Sequence, residues 1–210
     1  MQNNKQHKIS IAMVLLFGFI LIFTATDGFQ AYTLETARTN ALRAEQPAFP
    51  EVTLEDSKER IYSFDEFAGK YVFITFIYTA CMDVCPELEM NQAQVYNSIP
   101  AEYIGEDIVF LSISFDPEQD DPAALEKYRM MFNSDGETWR MARISDQQEL
   151  NRLLDEFGVV VIPDQNGNFT HNSAFYLVDP EGNLADVMDY TDIEGAAAKV
   201  NNTLDKGRER

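Results

Sequence analysis

Residues 71–89 read YVFITFIYTACMDVCPELE and contain the signals that decide the fold. The run that opens this stretch is apolar and rich in β-branched and aromatic residues, which is typical of a central strand covered on both faces. Pro86 follows at a position that suits the first turn of a helix. Cys81 and Cys85 therefore lie in a loop between a buried strand and a helix, where α/β folds place their sites.

The chain on either side of this loop alternates between strand and helix patterns. Residues 108–115 (IVFLSISF) form a second buried strand pattern, and a helical pattern follows it. Asp116, Asp120 and Asp121, which precede that helix, look like turn and helix-cap residues. Ser145 and Gln148 form a capping-box pair that predicts the start of the next helix. Residues 174–178 and 184–188 flank a turn, which predicts a hairpin before the last helix. A shorter strand pair is predicted at 49–54 and 61–64. This order predicts an α/β fold with a central β-sheet flanked by helices, compatible with a thioredoxin-like order.

The N-terminal region contains one long apolar segment. Residues 9–25 are apolar apart from two hydroxyl residues, and as a helix they span roughly 25 Å of a membrane core of roughly 30 Å. Asp27 stands where a signal-peptide cleavage site needs a small residue, so an uncleaved anchor is favoured over a cleaved signal peptide. Lys5 and Lys8 precede the helix, which predicts a cytoplasmic N-terminus and a main domain facing the periplasm across a bacterial inner membrane.

Four segments are therefore expected. They are a cytoplasmic tail at 1–8, a transmembrane anchor at 9–25, a tether or juxtamembrane helix at 26–48, and a folded domain at 49–210. Hydrophobic residues make up 45% and charged residues 24% of the chain, the proportions of a globular protein. A net charge of −19 repels phosphate backbones and argues against a nucleic-acid partner.

The two cysteines of the chain, Cys81 and Cys85, permit a structural and a functional interpretation. In the structural interpretation, they form a structural disulfide or are two unrelated buried thiols. A bridge between residues four apart closes a very short loop and stabilises little, because the entropic gain grows with loop length. Outside the cytoplasm, a pair that is not a structural bridge is kept reduced for a purpose. We therefore favour a reactive or metal-binding pair.

His171 is the second candidate, since the only other histidine, His7, precedes the membrane segment. A lone histidine is more often a surface or satisfied core residue than a ligand. In a thioredoxin-like order, however, the segment around His171 would pack against the cysteine loop. Two thiolates and an imidazole suit copper, and three ligands leave a position open for an incoming ligand.

Four stretches resemble one known family. They are FPEVTLED (49–56), FAGKYVFITFIYTACMDVCP (67–86), ISFDPEQDDP (113–122) and THNSAFYLVDPEGN (170–183), and they resemble the Sco (SenC) copper chaperones. The resemblance implies a thioredoxin-like fold and Cys81, Cys85 and His171 as ligands of Cu(I), Cu(II) or both. It also implies that the chain matures the dinuclear copper centre of cytochrome c oxidase, with its copper-bearing subunit or another assembly factor as partner.

The chain departs from the family pattern at two positions. Met82 stands after the first cysteine, where the family usually has proline, and Gln119 stands before Asp120, where the family usually has arginine. Neither change removes a ligand. The helix N-terminus after Pro86 favours a Cys85 thiolate. The acidic side chains of Asp83, Glu87 and Glu89 are expected to oppose that ionisation and to help hold a bound cation instead.

Two other functions compete with copper delivery. A thiol–disulfide reductase would use Cys81 and Cys85 to attack and resolve a mixed disulfide with a partner. A peroxiredoxin is weaker, because the spacing from Thr79 to Cys81 is one residue shorter than that family's motif. Disulfide exchange has no need of His171, whereas a three-coordinate metal site does, so the sequence favours the metal carrier over the reductase.

Overall fold

The structure, a computed structural model, describes residues 2–25, 33–164 and 168–208, and side chains from residue 7 onward. The chain forms two compact units, divided between Ala44 and Glu45. Helix α1 (Gln2–Ala25) belongs to the first unit, and its segment His7–Ala25 is long and apolar enough to cross a membrane. Helix α2 (Leu34–Glu45) follows within the region expected to be a tether or juxtamembrane helix, of which residues 26–32 lie outside the described residues.

The second unit is built on a seven-stranded sheet in the order β2-β1-β5-β4-β3-β8-β9, and a smaller sheet pairs β6 with β7. Its strands are β1 (Thr53–Asp56), β2 (Ile61–Ser63), β3 (Tyr71–Ile77), β4 (Ile108–Ser114), β5 (Trp139–Arg143), β6 (Val161–Pro163), β7 (Phe169–His171), β8 (Phe175–Val178) and β9 (Leu184–Met188). Its α-helices are α3 (Val84–Ser98), α4 (Pro122–Met131), α5 (Gln147–Glu156) and α6 (Ile193–Arg208), and Phe64–Phe67 forms a 3-10 turn.

The strand directions confirm the predicted α/β fold and thioredoxin-like order. Strands β3, β4 and β5 run parallel, and α3 makes the crossover from β3 to β4. Strand β8 lies antiparallel to β3 and pairs with β9 in the predicted hairpin, which α6 follows. The carboxyl ends of β3 and β4 therefore meet at one edge of the sheet, and this edge carries the cysteine loop.

Strand β3 is buried on both faces, as its continuous apolar sequence predicts. On one face Phe73 contacts Phe110, whose ring also contacts Tyr96 of α3. On the other face Phe76 contacts Phe157, the residue that ends α5. Alternate residues of a strand point to opposite faces of the sheet. Because helices cover both faces of this sheet, the side chains on both faces of β3 must be apolar. The strand therefore lacks the alternation of apolar and polar residues that a half-exposed strand shows.

Two predicted features differ from the structure. The strand pair near residue 50 begins later than expected, at Thr53, because the chain before it is joined to the sheet only by the isolated bridge Ala48–Asn183 and nearby backbone bonds. Helix α5 is capped by Asp146 rather than by Ser145, since the Asp146 carboxylate accepts bonds from two backbone N–H groups of the first turn. Ser145 instead contacts Glu55.

Candidate metal centre

The cysteine loop joins the end of β3 to the start of α3. The backbone N–H of Cys81 donates a hydrogen bond to the carbonyl oxygen of Tyr78, at 3.2 Å. Its sulfur then accepts a bond from the backbone N–H of Cys85 at 3.3 Å, so Cys81 caps the first turn of α3. Asp83, at the N-cap position, makes no capping bond with its side chain. Both cysteines are free thiols and both are buried.

His171 reaches this loop from β7, the second strand of the small hairpin. Its Nε2 lies 3.5 Å from Sγ of Cys85, although 86 residues separate the two in sequence. Its Nδ1 lies 3.2 Å from the carbonyl oxygen of Asn172. A carbonyl can only accept, so in this bond Nδ1 carries the hydrogen and Nε2 presents a lone pair to the sulfur. This arrangement orients the ring as outer-shell bonds orient histidine ligands.

Aromatic rings support the histidine from behind. The ring of Phe115, which follows β4, lies 4.9 Å from the His171 ring and 5.6 Å from that of Phe169. Tyr78, which follows β3, packs on Phe169 at 5.1 Å. The hairpin is also tied to the chain that follows α5, since the Asn172 side chain donates a bond to the Gly158 carbonyl at 3.1 Å. These contacts fix the hairpin over the carboxyl ends of the two central strands.

Asp120 anchors the base of the cysteine loop and was missed as a functional residue. Its carboxylate accepts bonds from Thr79 N–H at 2.9 Å, from the Thr79 hydroxyl at 2.5 Å and from the Ser114 hydroxyl at 2.5 Å. The residue is fully buried. The residue pattern predicts a turn or helix-cap role for Asp116, Asp120 and Asp121, and only the family resemblance implies that they lie near the copper loop. The structure gives the cap of α4 to Asp121. Asp120 thus joins the loop after β3 to the end of β4.

Removing this anchor is expected to loosen the loop and destabilise the fold. Asp120→Ala leaves the buried donors of Thr79 and Ser114 without their acceptor, and we expect a loss of about 3 kcal/mol in the free energy of unfolding. Asp121→Ala is the matched control, since it removes only one exposed capping bond, worth about 1 kcal/mol. Urea denaturation of both variants measures the difference, and equal losses would contradict the anchoring role of Asp120.

Burial dominates the electrostatics of the candidate ligands. It raises the pKa of the Cys85 thiol, and the neighbouring Cys81 and Glu89 add to the rise. Burial also lowers the pKa of His171, so its imidazole is neutral near pH 7. The expected opposition to a Cys85 thiolate is thus found, but its main cause is desolvation rather than charge. Without metal, Cys85 and His171 form a neutral pair in which Cys85 is buried and His171 is half-buried.

The donor set fits a soft or borderline metal ion, although it is not fully assembled. Within the described ranges, no three His, Cys, Asp or Glu side chains are already gathered around one point. The 3.5 Å between Cys85 Sγ and His171 Nε2 allows both atoms to bind one ion at the usual distances of about 2.0–2.3 Å. The Cys81 sulfur, now bonded to the backbone of Cys85, must turn to complete a three-ligand set.

The tip of the cysteine loop is exposed to solvent. Met82, between the two cysteines, is 93% exposed. Asp83 beside it is also exposed. Both cysteines lie buried next to this exposed tip, which is therefore the side from which a metal ion or a partner's ligand can approach the loop.

Known proteins are similar to this chain over most of the α/β unit. A protein-family model described as SCO1/SenC matches residues 40–205. The SCO1 protein homolog of Bacillus subtilis is 28% identical over 144 residues, which cover 68% of this chain and 72% of that protein. The mitochondrial SCO1 protein of Saccharomyces cerevisiae is 29% identical over 138 residues, covering 64% of this chain and 46% of that protein. The match thus spans about half the length of that mitochondrial relative.

Solved structures show the same fold. Yeast Sco1 with copper bound is 25% identical with a TM-score of 0.62, over 73% of this chain and 86% of that one. Copper-bound ScoI of Bradyrhizobium japonicum is 25% identical with a TM-score of 0.61, over 74% of this chain and 98% of that one. The family match covers the α/β unit up to residue 205, including both segments of the candidate metal centre. The chain therefore belongs to the SCO1/SenC family.

Proposed function

We propose that this protein is a copper-binding assembly factor that takes up copper with Cys81, Cys85 and His171 and delivers it to a recipient protein. The recipient is the copper-bearing subunit of cytochrome c oxidase, whose dinuclear copper centre the delivery matures. The observation that carries the proposal is the approach of His171 Nε2 to Cys85 Sγ at 3.5 Å from a distant strand. The family relatives solved with copper bound support the same metal.

The chemistry of the three side chains suits a cargo that must later be released. Thiolate and imidazole ligands favour copper, as Cu(I) or Cu(II), over hard cations such as Mg²⁺. The neutral imidazole of His171 needs no proton removed before it binds, whereas the buried Cys85 thiol must lose its proton. Three protein ligands leave a coordination position through which a recipient's ligand can enter and draw the ion away.

Delivery to an oxidase requires the α/β unit to face the same compartment as the recipient's copper site. We assign residues 9–25 to an uncleaved anchor in a bacterial inner membrane, residues 26–48 to a tether, and residues 49–210 to a domain on the periplasmic side. The apolar span His7–Ala25 supports the anchor. Lys5 and Lys8 on the N-terminal side support the orientation.

The test of this function separates copper binding from disulfide exchange. In His171→Ala, we expect copper affinity to fall by more than the roughly 10–100-fold that loss of an outer-shell partner costs. The variant should still form and break a disulfide between Cys81 and Cys85, because that reaction does not use the imidazole. The measurement is competitive titration of the reduced full chain in detergent, without oxygen for Cu(I), beside a thiol count after mild oxidation.

His7→Ala provides the matched control, because it removes the other histidine of the chain, which is exposed on α1. This control should bind copper as the parent does. Loss of copper binding and of disulfide formation together in His171→Ala would mean that the histidine has been misassigned. Unchanged copper affinity in that variant would favour the thiol–disulfide reductase over the copper carrier.

A further inference from the structure

A groove of about 590 Å³ lies beside the metal centre, between the segment after β4, the helix α5 and the strand β6. Its floor is apolar and is formed mainly by Phe115, Leu154, Val159 and Phe169. Phe115 and Phe169 are the rings that pack against each other, and Phe115 contacts His171. One aromatic side chain therefore separates the groove from the candidate copper ligand.

The walls of the groove carry negative charge only. Asp116, Glu118 and Asp155 are among its lining residues, and these include no lysine, arginine or histidine. Burial and the nearby carboxylates of Asp120 and Glu118 raise the pKa of Asp116. The electrostatic potential inside the groove is therefore negative, and a bound cationic side chain would be attracted to it.

Arg143, a guanidinium close to this wall, is already engaged. Arg143 donates to the backbone carbonyl of Pro117, a lining residue, at 2.8 Å. The same side chain forms an ion pair with Glu55 at 2.7 Å. In the part of the chain that the structure describes, none of the three wall carboxylates has an ion-pair partner. Arg143 therefore does not neutralise the groove.

The strand at the rim indicates the shape of the occupant. Among the described residues, β6 pairs with β7 alone, so its other edge has no neighbouring strand. Val160 and Ile162 are 53% and 58% exposed, which is unusual for branched apolar side chains at a strand edge. An extended segment can pair with such an edge and place alternate side chains in the adjoining groove.

We propose that this groove docks an extended segment of the copper-exchanging partner, in which lysine or arginine residues alternate with apolar residues. The apolar side chains would lie on the floor over Phe115 and Phe169, and the cationic ones would meet Glu118 and Asp155. The identification of the occupant as the copper-exchanging partner rests on the proposed function. A segment bound there would hold its own copper ligands within one side chain of His171.

A second copy of this chain is a poor occupant for the groove. The chain carries a net charge of −19, so two copies repel each other, and an acidic groove adds to that repulsion. A basic segment gains attraction at the same place. Because exposed charges are screened by salt, this attraction is expected to weaken as ionic strength rises.

The test uses a fluorescein-labelled probe peptide, Lys-Val-Lys-Leu-Lys-Val, and the copper-free full chain in detergent at low salt. We expect the peptide to bind, and the double variant Glu118→Lys with Asp155→Lys to weaken binding about tenfold, since each reversal replaces an attraction with a repulsion. Fluorescence anisotropy measures the binding. Hydrogen exchange should slow in residues 161–162 when the peptide is bound, because the edge of β6 becomes paired.

The matched control makes the same charge change at the opposite end of the sheet. Glu106→Lys with Glu181→Lys alters exposed residues before β4 and in the β8–β9 turn, and it should change peptide affinity by less than about twofold. Equal weakening in both double variants, or equal binding of the peptide with glutamate in place of lysine, would overturn the proposal. Concentration-dependent dimerisation that protects 161–162 would assign the groove to a second copy instead.

The docking proposal and the copper-binding proposal can be tested separately. Copper affinity of the Glu118→Lys with Asp155→Lys variant should stay within about twofold of the parent, because neither residue is a candidate ligand. If the peptide binds as expected while copper does not bind to the parent chain, the proposed function fails and the docking groove stands. If copper binds but the groove variants do not change peptide affinity, the docking proposal fails alone.

Discussion

Cys85→Ser is expected to weaken copper binding more than any other single substitution in the chain. Its sulfur is fully buried and is the atom that His171 Nε2 faces. Serine keeps the size and the backbone bond to the Cys81 sulfur, but its hydroxyl is a hard ligand that does not ionise near pH 7. We expect a loss greater than the roughly 10–100-fold caused by removing an outer-shell partner.

The pH dependence of affinity adds a second readout for the same variant. Burial raises the pKa of Cys85, so its thiol is protonated at neutral pH and copper must displace the proton. Affinity should therefore rise with pH, by about tenfold per unit for each proton displaced. In Cys85→Ser this dependence should decrease by one proton. Competitive copper titrations at several pH values measure both the affinity and the slope.

Met82→Ser provides the control for Cys85→Ser. It removes a sulfur from the same loop, but from a side chain that is 93% exposed. We expect copper affinity and its pH dependence to stay close to those of the parent chain. An equal loss of affinity in Met82→Ser would show that the thioether is a ligand. An unchanged pH slope in Cys85→Ser would show that its thiol is not the one deprotonated.

The central part of the fold could be predicted because its signals are local and strong. The apolar run before Cys81 and the helix-opening Pro86 identify β3 and α3, and therefore place the cysteines at the carboxyl end of a strand. The approach of His171 could be predicted only through topology, since nothing near it in sequence refers to the cysteines. The structure confirms that approach, and the role of the three side chains as copper ligands stays a prediction.

The remaining elements gave weaker signals. Strands β6 and β7 have three residues each, which is too short for a periodic pattern to be recognised. Strand β5 reads WRMAR, in which arginines stand among the apolar residues. The anchoring role of Asp120 was missed because two adjacent aspartates before a proline look like helix caps, and only the contacts of Thr79 distinguish them.

The burial of Glu89 could have been predicted from its position on α3. The sequence grouped it with the acidic residues that flank Cys85. However, it lies four residues after Cys85 on α3, and positions four apart share one face of a helix. Since Cys85 is buried, Glu89 should be buried too, and the structure shows that it is fully buried. The spacing of four residues between Cys85 and Glu89 was therefore enough to predict that Glu89 is buried.

The pocket around Glu89 is polar and shielded from bulk solvent. The carboxylate accepts bonds from Thr75 on β3 at 2.7 Å and from Ser112 on β4 at 2.8 Å. Trp139 of β5 donates to the same Ser112 hydroxyl at 3.1 Å. From α4, Tyr128 faces the group, and burial followed by the charge of Glu89 raises its pKa. Within this described pocket, no cation is among the groups that act on Glu89.

The pH dependence of stability follows from this burial. Desolvation raises the pKa of Glu89 from 4.5 to about 7, and the bonds from Thr75 and Ser112 offset only part of the rise. Between these two values the folded state binds more protons than the unfolded state, so the free energy of unfolding falls as pH rises. The stabilisation present below pH 4.5 is lost through pH 7, a change of up to about 3 kcal/mol.

Glu89→Gln is expected to remove this dependence, because its amide stays neutral at every pH. Relative to the parent chain, the variant should gain up to about 3 kcal/mol between pH 4.5 and pH 8, measured by urea denaturation. Glu87→Gln, an exposed position on the same helix, should leave the profile unchanged. A constant difference between Glu89→Gln and the parent across this range would mean that Glu89 titrates normally. The acid beside Cys85 would then be charged in the folded protein at neutral pH.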